Sequence, residues 1–364
     1  MAVQYFDNDF SFEEHEREYI ADFERTLAEA SELALLRDNG ATSSSSSDFC
    51  GGCKDGGIDA PDAERQVDHL HPTVQSECWD AFHSAHSHGT FFKSRRYITK
   101  CFSCLLDRPS ASESQRIILE IGCGSGSSIV PVILQLVLEN PEWTKSPPFA
   151  LLACDSSPVA VETTKRCVQE ATKTKVPPET LTQCFWGFVA DPCMDSDAST
   201  TLLERTKEAH KEIKPNYRDI SGGDDDGVGG IADVILCVFV LSAVDPAHAK
   251  TFIRQVYETL KPGAYCCFRD YGVFDMPMMR FPPKSYRSSE ERDFDGCPPR
   301  LFVRGDGTLS RFFHCETVQK LFEEAGFTTE ELRYATVFNI NRKTNQKLKR
   351  VFVHGIFRKP EANA

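Results

Sequence analysis

No stretch of this 364-residue chain stays apolar for long enough to cross a bilayer, so no membrane span is expected. The first residues lack the basic and then apolar pattern of a secretory leader. They also lack the Arg-rich, acid-poor character of an organelle transit peptide, being acidic instead. Internal repeats are absent. The fifteen cysteines are odd in number, and Cys123, Cys154, Cys237, Cys266 and Cys267 fall in expected strands or in a glycine turn. A secreted disulfide framework therefore fits poorly, and a reducing compartment, cytoplasmic or nuclear, is expected. Zinc-ribbon spacing is missing as well. Cys50–Cys53 and Cys101–Cys104 are both C-x-x-C, but the gap between the pairs is far too long, and no metal is expected.

Charge is unevenly spread. Residues 1–70 hold 17 Asp and Glu against 5 Lys and Arg, so of the net −13 the rest of the chain carries only −1. Basic residues then cluster twice, at Lys93, Arg95, Arg96 and Lys100 and from Arg342 to Lys359, a stretch with no acid between 339 and 359. Such clusters either neutralise phosphates or form a solvated face. Phe12, Glu16, Tyr19, Phe23, Leu27 and Ala30 recur at three- and four-residue steps and predict an amphipathic helix from about 12 to 36. That helix belongs to an acidic extension, 1–37, followed by a Ser/Gly-rich linker, 38–66. The main domain runs over 67–360 with an irregular insert at about 195–230, which is expected to hold a solvated helix near 200–212 and then a flexible Gly/Asp-rich loop. Since 1–66 is acidic and has little to bury, its deletion is expected to leave the melting temperature nearly unchanged.

Ile117-Ile118-Leu119-Glu120-Ile121 reads as a buried parallel strand, and Gly122-Cys123-Gly124-Ser125-Gly126 as a sharp turn with no side chain in a ligand's way. A helix follows from Ile129 to Leu138, with Pro131 in its first turn. Strand, glycine turn and helix N-terminus together make a nucleotide-type cofactor site. The spacing is G-x-G-x-G, not the G-x-G-x-x-G of dinucleotide binders. A second strand ends in Asp155, suited to ribose hydroxyls, and a third, Phe188 to Asp191, ends in an acid suited to an adenine amino group. Either acid alone reads more readily as a helix cap or a solvated loop end, but acids at two successive strand ends after the glycine turn point to a ligand. A fourth strand, Ile231 to Val240, helix 247–260, strand Ala264 to Arg269, helix Glu316 to Ala325 and strands near 330–340 and 349–357 complete the pattern. The alternation predicts an α/β fold with a doubly wound, mostly parallel sheet behind an N-terminal helical extension.

Further segments occur in a recognisable order: Trp79-Asp80-Ala81-Phe82-His83, Phe91-Phe92-Lys93-Ser94-Arg95-Arg96-Tyr97, Cys154-Asp155-Ser156-Ser157-Pro158 and Phe239-Val240-Leu241-Ser242-Ala243-Val244. Leu260-Lys261-Pro262-Gly263, Phe268-Arg269-Asp270-Tyr271-Gly272 and Val303-Arg304-Gly305-Asp306-Gly307-Thr308 follow them. From about 75 to 358 the chain resembles the tRNA 3-methylcytidine methyltransferases, class I S-adenosylmethionine-dependent enzymes that modify a cytidine of the anticodon loop. The family usually has Tyr where His83 stands, an acid at Ser94 and His-Trp at Arg96-Tyr97. The acidic extension and the 195–230 insert lie outside its pattern.

The resemblance implies S-adenosylmethionine as cofactor. Trp79 and His83 would cover it, Gly122 and Gly124 approach its methionine end, Asp155 hold the ribose, Asp191 with Pro192 meet the adenine, and Val238 pack beneath the ring. It also implies tRNA as partner, with an aminoacyl-tRNA synthetase or another protein as a candidate partner for the N-terminal helix. Cytosine N3 is unprotonated at neutral pH, so its attack on a methyl group needs alignment and tolerance of a cation, not a base. Asp270 is placed to supply that charge as the catalytic group, and Tyr271 or Phe92 to offer a stacking face. Arg269 would bind phosphate, or with Asp270 form an internal network that fixes the loop. Lys93, Arg95, Arg304, Lys347, Lys349 and Arg350 complete the expected substrate contacts. Other readings are the same fold acting on another nucleic acid or a protein, or a silent scaffold that binds tRNA or a partner.

Overall fold

Along the chain of the computed structural model the elements are α1 (Phe12–Asp38), α2 (Pro72–Ala85), α3 (Ile98–Cys101), β1 (Arg116–Ile121), α4 (Ile129–Glu139), β2 (Phe149–Asp155), α5 (Pro158–Thr172), α6 (Pro178–Leu181), β3 (Phe185–Val189), α7 (Leu202–Ile213), β4 (Ala232–Val238), α8 (Ala249–Thr259), β5 (Leu260–Tyr271), β6 (Arg300–Val303), β7 (Leu309–Phe312), α9 (Cys315–Glu324), β8 (Thr328–Asn341) and β9 (Gln346–Arg358). The structure describes residues 8–38, 71–88, 93–108, 115–140, 143, 147–194, 200–213, 229–341 and 346–361. The 39–66 part of the expected linker, the Cys50–Cys53 pair, the Gly/Asp-rich loop of the insert, Phe92, Arg342 and Lys343 lie outside them.

Among the described residues a seven-stranded sheet has the order β3-β2-β1-β4-β5-β9-β8. Pairs β1–β2, β1–β4, β2–β3 and β4–β5 are parallel, whereas β9 enters antiparallel between β5 and β8. This is the doubly wound, mostly parallel sheet expected. All residues of β1 and β2 are buried, as strands covered on both faces must be. The winding order reverses between the parallel strands β1 and β4, with β2 and β3 added on one side and β5 on the other, so the loops leaving their C-terminal ends part and open a crevice. The short hairpin β6–β7, missed in the sequence, forms around Gly307 at φ 82° and leans over that crevice.

Glu120 interrupts the apolar run of β1 for a local reason. Its Oε2 accepts the Ile129 N–H at 3.0 Å, satisfying an orphan donor at the start of α4. Complete burial pushes this carboxyl from 4.5 up to about 8, against the opposing pull of Arg95. The folded state therefore binds the proton more tightly, and the resulting stability is complete below pH 4.5 and lost as pH rises toward 8. Across that window the melting temperature should fall more steeply for the wild type than for Glu120→Gln. Equal slopes would show that Glu120 does not titrate there.

The helix expected at 12–36 is present as α1, but its apolar side is occupied. Phe23 is buried among Phe274, Met278 and Phe302, and Phe12 stacks on Tyr334 with ring centroids 3.6 Å apart. His15 Nε2 bonds the Phe274 carbonyl at 2.8 Å. Ahead of the helix, Asn8 bridges to Thr336 of β8, and the Phe338 N–H donates to Asp9 at 2.7 Å. The expectation that this extension has little to pack is corrected. Charge dominates its composition, but the few aromatic residues that carry the period are enough to dock it.

Candidate active site

Gly122, Gly124 and Gly126 all adopt positive φ, at 64°, 54° and 77°. At Gly122 a Cβ would also stand 2.5 Å from Val240 Cγ2, so space as well as backbone excludes a side chain. The turn is tied to β2 by the Cys123 N–H, which donates to the Cys154 carbonyl at 2.9 Å.

Above the C-terminal ends of β1, β2 and β4 lies a cavity of about 370 Å³. Trp79 and His83, four residues apart on α2, line its roof with ring centroids 5.9 Å apart. Two clasps hold α2 there. Asp80 accepts the Ser157 hydroxyl at 2.7 Å, at the start of α5. Gln75 donates to the Gly307 carbonyl and accepts the Leu309 N–H, both at 3.1 Å, in the β6–β7 hairpin. Burial holds His83 below the usual histidine range. Opposite it, Asp155 accepts the Gly124 N–H at 2.9 Å and the Ser157 N–H at 3.0 Å. Burial raises the Asp155 carboxyl, opposed by His83 and by these two N–H groups. Each oxygen keeps a lone pair for a further donor. Asp191 accepts the Cys193 N–H at 2.9 Å and lines the cavity with Pro192 and Val238. A glycine cradle, a helix N-terminus and a carboxylate after β2 suit a nucleoside with an amino-acid tail.

On the substrate side the structure separates residues that the sequence grouped together. Arg95 does not sit on an outer phosphate patch. It donates to Ser128 Oγ at 2.8 Å, at the start of α4, and lines the cavity. Tyr271 and Arg304 also line it; Arg304 donates to Ser310 Oγ at 3.2 Å and its guanidinium lies 6.0 Å from the Trp79 ring. Lys93, Arg96 and Lys100 are exposed.

Four expected contacts need correction. Asp270 is fully buried, and its two oxygens accept the Ser242 N–H at 2.9 Å and its neighbour Tyr271 N–H at 2.8 Å. It fixes the turn after β4 and forms no part of the cavity wall, because only the last residue of β5 reaches the mouth. Burial pushes its carboxyl up to about 6. Arg269, 1% exposed, lies between the rings of Tyr97 and Phe352 at 5.3 and 4.8 Å, out of reach of an outer phosphate. Arg350 is held by both oxygens of buried Asp275, at 2.7 and 2.9 Å. Lys349 pairs with Glu18 of α1 at 2.7 Å. Lys347 is exposed, with its ammonium 5.2 Å from the Phe338 ring.

Cavity residues that the sequence reading did not select include Phe239, Ser242, Cys193, His248 and Asp306. Phe239 and Ser242 were within view inside the F-V-L-S-A-V segment, and Asp306 inside Val303 to Thr308; Cys193 and His248 carry no local signal. In the second C-x-x-C pair, Cys104 Sγ lies 3.4 Å from Cys267 Sγ, a thiol contact across to β5. Among the described residues no group of three His, Cys, Asp or Glu is arranged to hold a metal.

Known proteins resemble this chain in sequence. A family model described as a methyltransferase domain matches residues 92–332. The tRNA N(3)-cytidine methyltransferase METTL6 of Rattus norvegicus is 31% identical over 283 residues, 78% of each chain. METTL6 of Homo sapiens is 28% identical over 78% of this chain and 80% of its own. The tRNA N(3)-methylcytidine methyltransferase Mettl2 of Drosophila melanogaster is 29% identical over 78% of this chain and 70% of its own. The glycine cradle, the acid after β2 and these relationships together place the chain in the methyltransferase-domain family and, within it, among the tRNA N(3)-cytidine methyltransferases.

Proposed function

We propose that the protein transfers the methyl group of S-adenosylmethionine to N3 of a cytidine in the anticodon loop of tRNA. The observation that carries this reading is the relationship to tRNA N(3)-cytidine methyltransferases across 78% of the chain. When bound, the cofactor supplies an electrophilic methyl on a sulfonium. Gly122, Gly124 and the N-terminus of α4 would hold its amino-acid end, with Arg95 facing its carboxylate. Asp155 would hold the ribose, Asp191 and Pro192 the adenine, Val238 the underside of the ring, and Trp79 with His83 the cover. An unprotonated N3 brings its own lone pair, so the chain supplies alignment and exclusion of water. A loop cytidine suits the site because only an unstacked base reaches an enclosed cavity.

Nucleoside mass spectrometry of tRNA incubated with protein and S-adenosylmethionine tests this. 3-methylcytidine should appear, and should be lost when the loop cytidine is replaced. Methylation at another atom, or of another base, would overturn it.

Of the C-terminal cations, Lys347 is the proposed phosphate contact. Lys347→Ala should reduce the log–log salt slope of tRNA binding by about 0.7 to 0.9. Arg350→Ala should leave the slope unchanged and cost about 3 kcal/mol in urea unfolding, because it strands buried Asp275. The opposite pattern would return Arg350 to the substrate surface. We extend the proposal to an aminoacyl-tRNA synthetase as protein partner, met by the exposed acids Glu13, Glu14 and Glu24 of α1. Charge reversal there should abolish co-purification.

A further inference from the structure

We propose that Phe239 is the stacking face for the target base, aimed at the methyl-transfer point by its backbone. The proposal rests on the reading of the substrate as a tRNA cytidine, and it names a residue that this reading leaves unassigned. Phe239 has φ 60°, a left-handed conformation strained for a bulky side chain and kept only where its surroundings impose it. It follows the last residue of β4, at the end of the sheet where ligands of open α/β folds bind. Its N–H donates to the Arg269 carbonyl at 2.8 Å, which locks the turn. The next residue, Val240, fills the space beside Gly122, so the turn abuts the expected methionine end of the cofactor.

The ring lines the cavity and is half-exposed, beside Tyr271 with centroids 4.9 Å apart and edge-on to Phe352 at 5.5 Å. The Arg95 guanidinium stands over it, 4.9 Å from its centroid, so the ring already accepts a planar cation. That property matches the chemistry. The N3 lone pair forms the new N–CH3 bond as the S–CH3 bond breaks and its electron pair stays on sulfur. No proton leaves, and the positive charge passes from the sulfonium to the base. A neutral cytosine gains only stacking from Phe239 and Tyr271, whereas the forming cation also gains attraction to the ring quadrupole. Stabilisation therefore grows along the reaction, which raises kcat. It also supplies what Asp270, turned away from the cavity, does not.

Four variants test the assignment. Phe239→Leu keeps apolar volume without a ring and should lower kcat by about tenfold to a hundredfold, with S-adenosylhomocysteine affinity within twofold of wild type. Phe239→Tyr should stay within a few-fold of wild-type kcat. Phe239→Gly should melt above Phe239→Ala, because glycine releases the strain, yet be as inactive. A stem-loop with fluorescent pyrrolocytosine at the target position reads stacking directly and should be quenched by wild type and Phe239→Tyr but not by Phe239→Leu. Equal quenching by all three, no quenching by wild type, or wild-type kcat in Phe239→Leu would overturn the assignment. Quenching without any 3-methylcytidine from wild type would count against the proposed activity and leave the stacking face in place.

Discussion

Asp155→Ala is expected to weaken S-adenosylhomocysteine binding by about 2 kcal/mol or more, roughly thirtyfold, in calorimetric titration. The carboxylate sits at the end of β2 and accepts the N–H of Gly124 and of Ser157, so it joins the glycine turn to the start of α5 while facing the cavity. Its removal takes away the acceptors proposed for the ribose hydroxyls and unties the turn proposed to approach the methionine end. Asp155→Asn keeps the shape and one acceptor, so it should fall between wild type and Ala. A folded Ala variant that binds with wild-type affinity would move the cofactor elsewhere.

Phe23→Ala should destabilise the protein by about 3 kcal/mol, because a large ring leaves a buried site among Phe274, Met278 and Phe302. For a chain of this size that amounts to a fall of about 5 °C in melting temperature. Deleting residues 1–38 should lower it further, since His15, Phe12 and Glu18 also lose their partners on the main domain. Cofactor affinity at low temperature should be unaffected, as none of these contacts reaches the cavity wall. A truncated protein that melts with the full chain would return α1 to the standing of an appendage.

The order of elements, and the gathering of Gly122, Gly124, Asp155 and Asp191 around one cavity, were legible because they rest on local rules. Apolar strands ending in Asp155 and near Asp191, and glycines where positive φ is required, mark positions within a few residues. The substrate side was read less well. Asp270 and Arg269 occupy a motif, but which way they face depends on β5 lying inside the sheet with β4 and β9 on either flank. Lys349 and Arg350 belong to a basic run, yet their partners Glu18 and Asp275 lie 331 and 75 residues away, beyond any local pattern. The strain at Phe239 had no compositional trace, since strand propensity there predicts an extended residue.

β8 is the last strand of the sheet, and the segment ahead of α1 lies along its outer side, through the Asn8–Thr336 bridge and the bond from Phe338 to Asp9. An uncovered border strand offers a row of unsatisfied N–H and C=O groups to any other chain. In this protein the N-terminal segment covers that row at Thr336 and Phe338. Losing it would bare the edge of β8 from Thr336 to Phe338, next to the exposed Ile340, a template on which a second copy can add its own strand. Truncated protein should therefore self-associate with rising concentration and scatter light on heating, while the full chain stays dispersed.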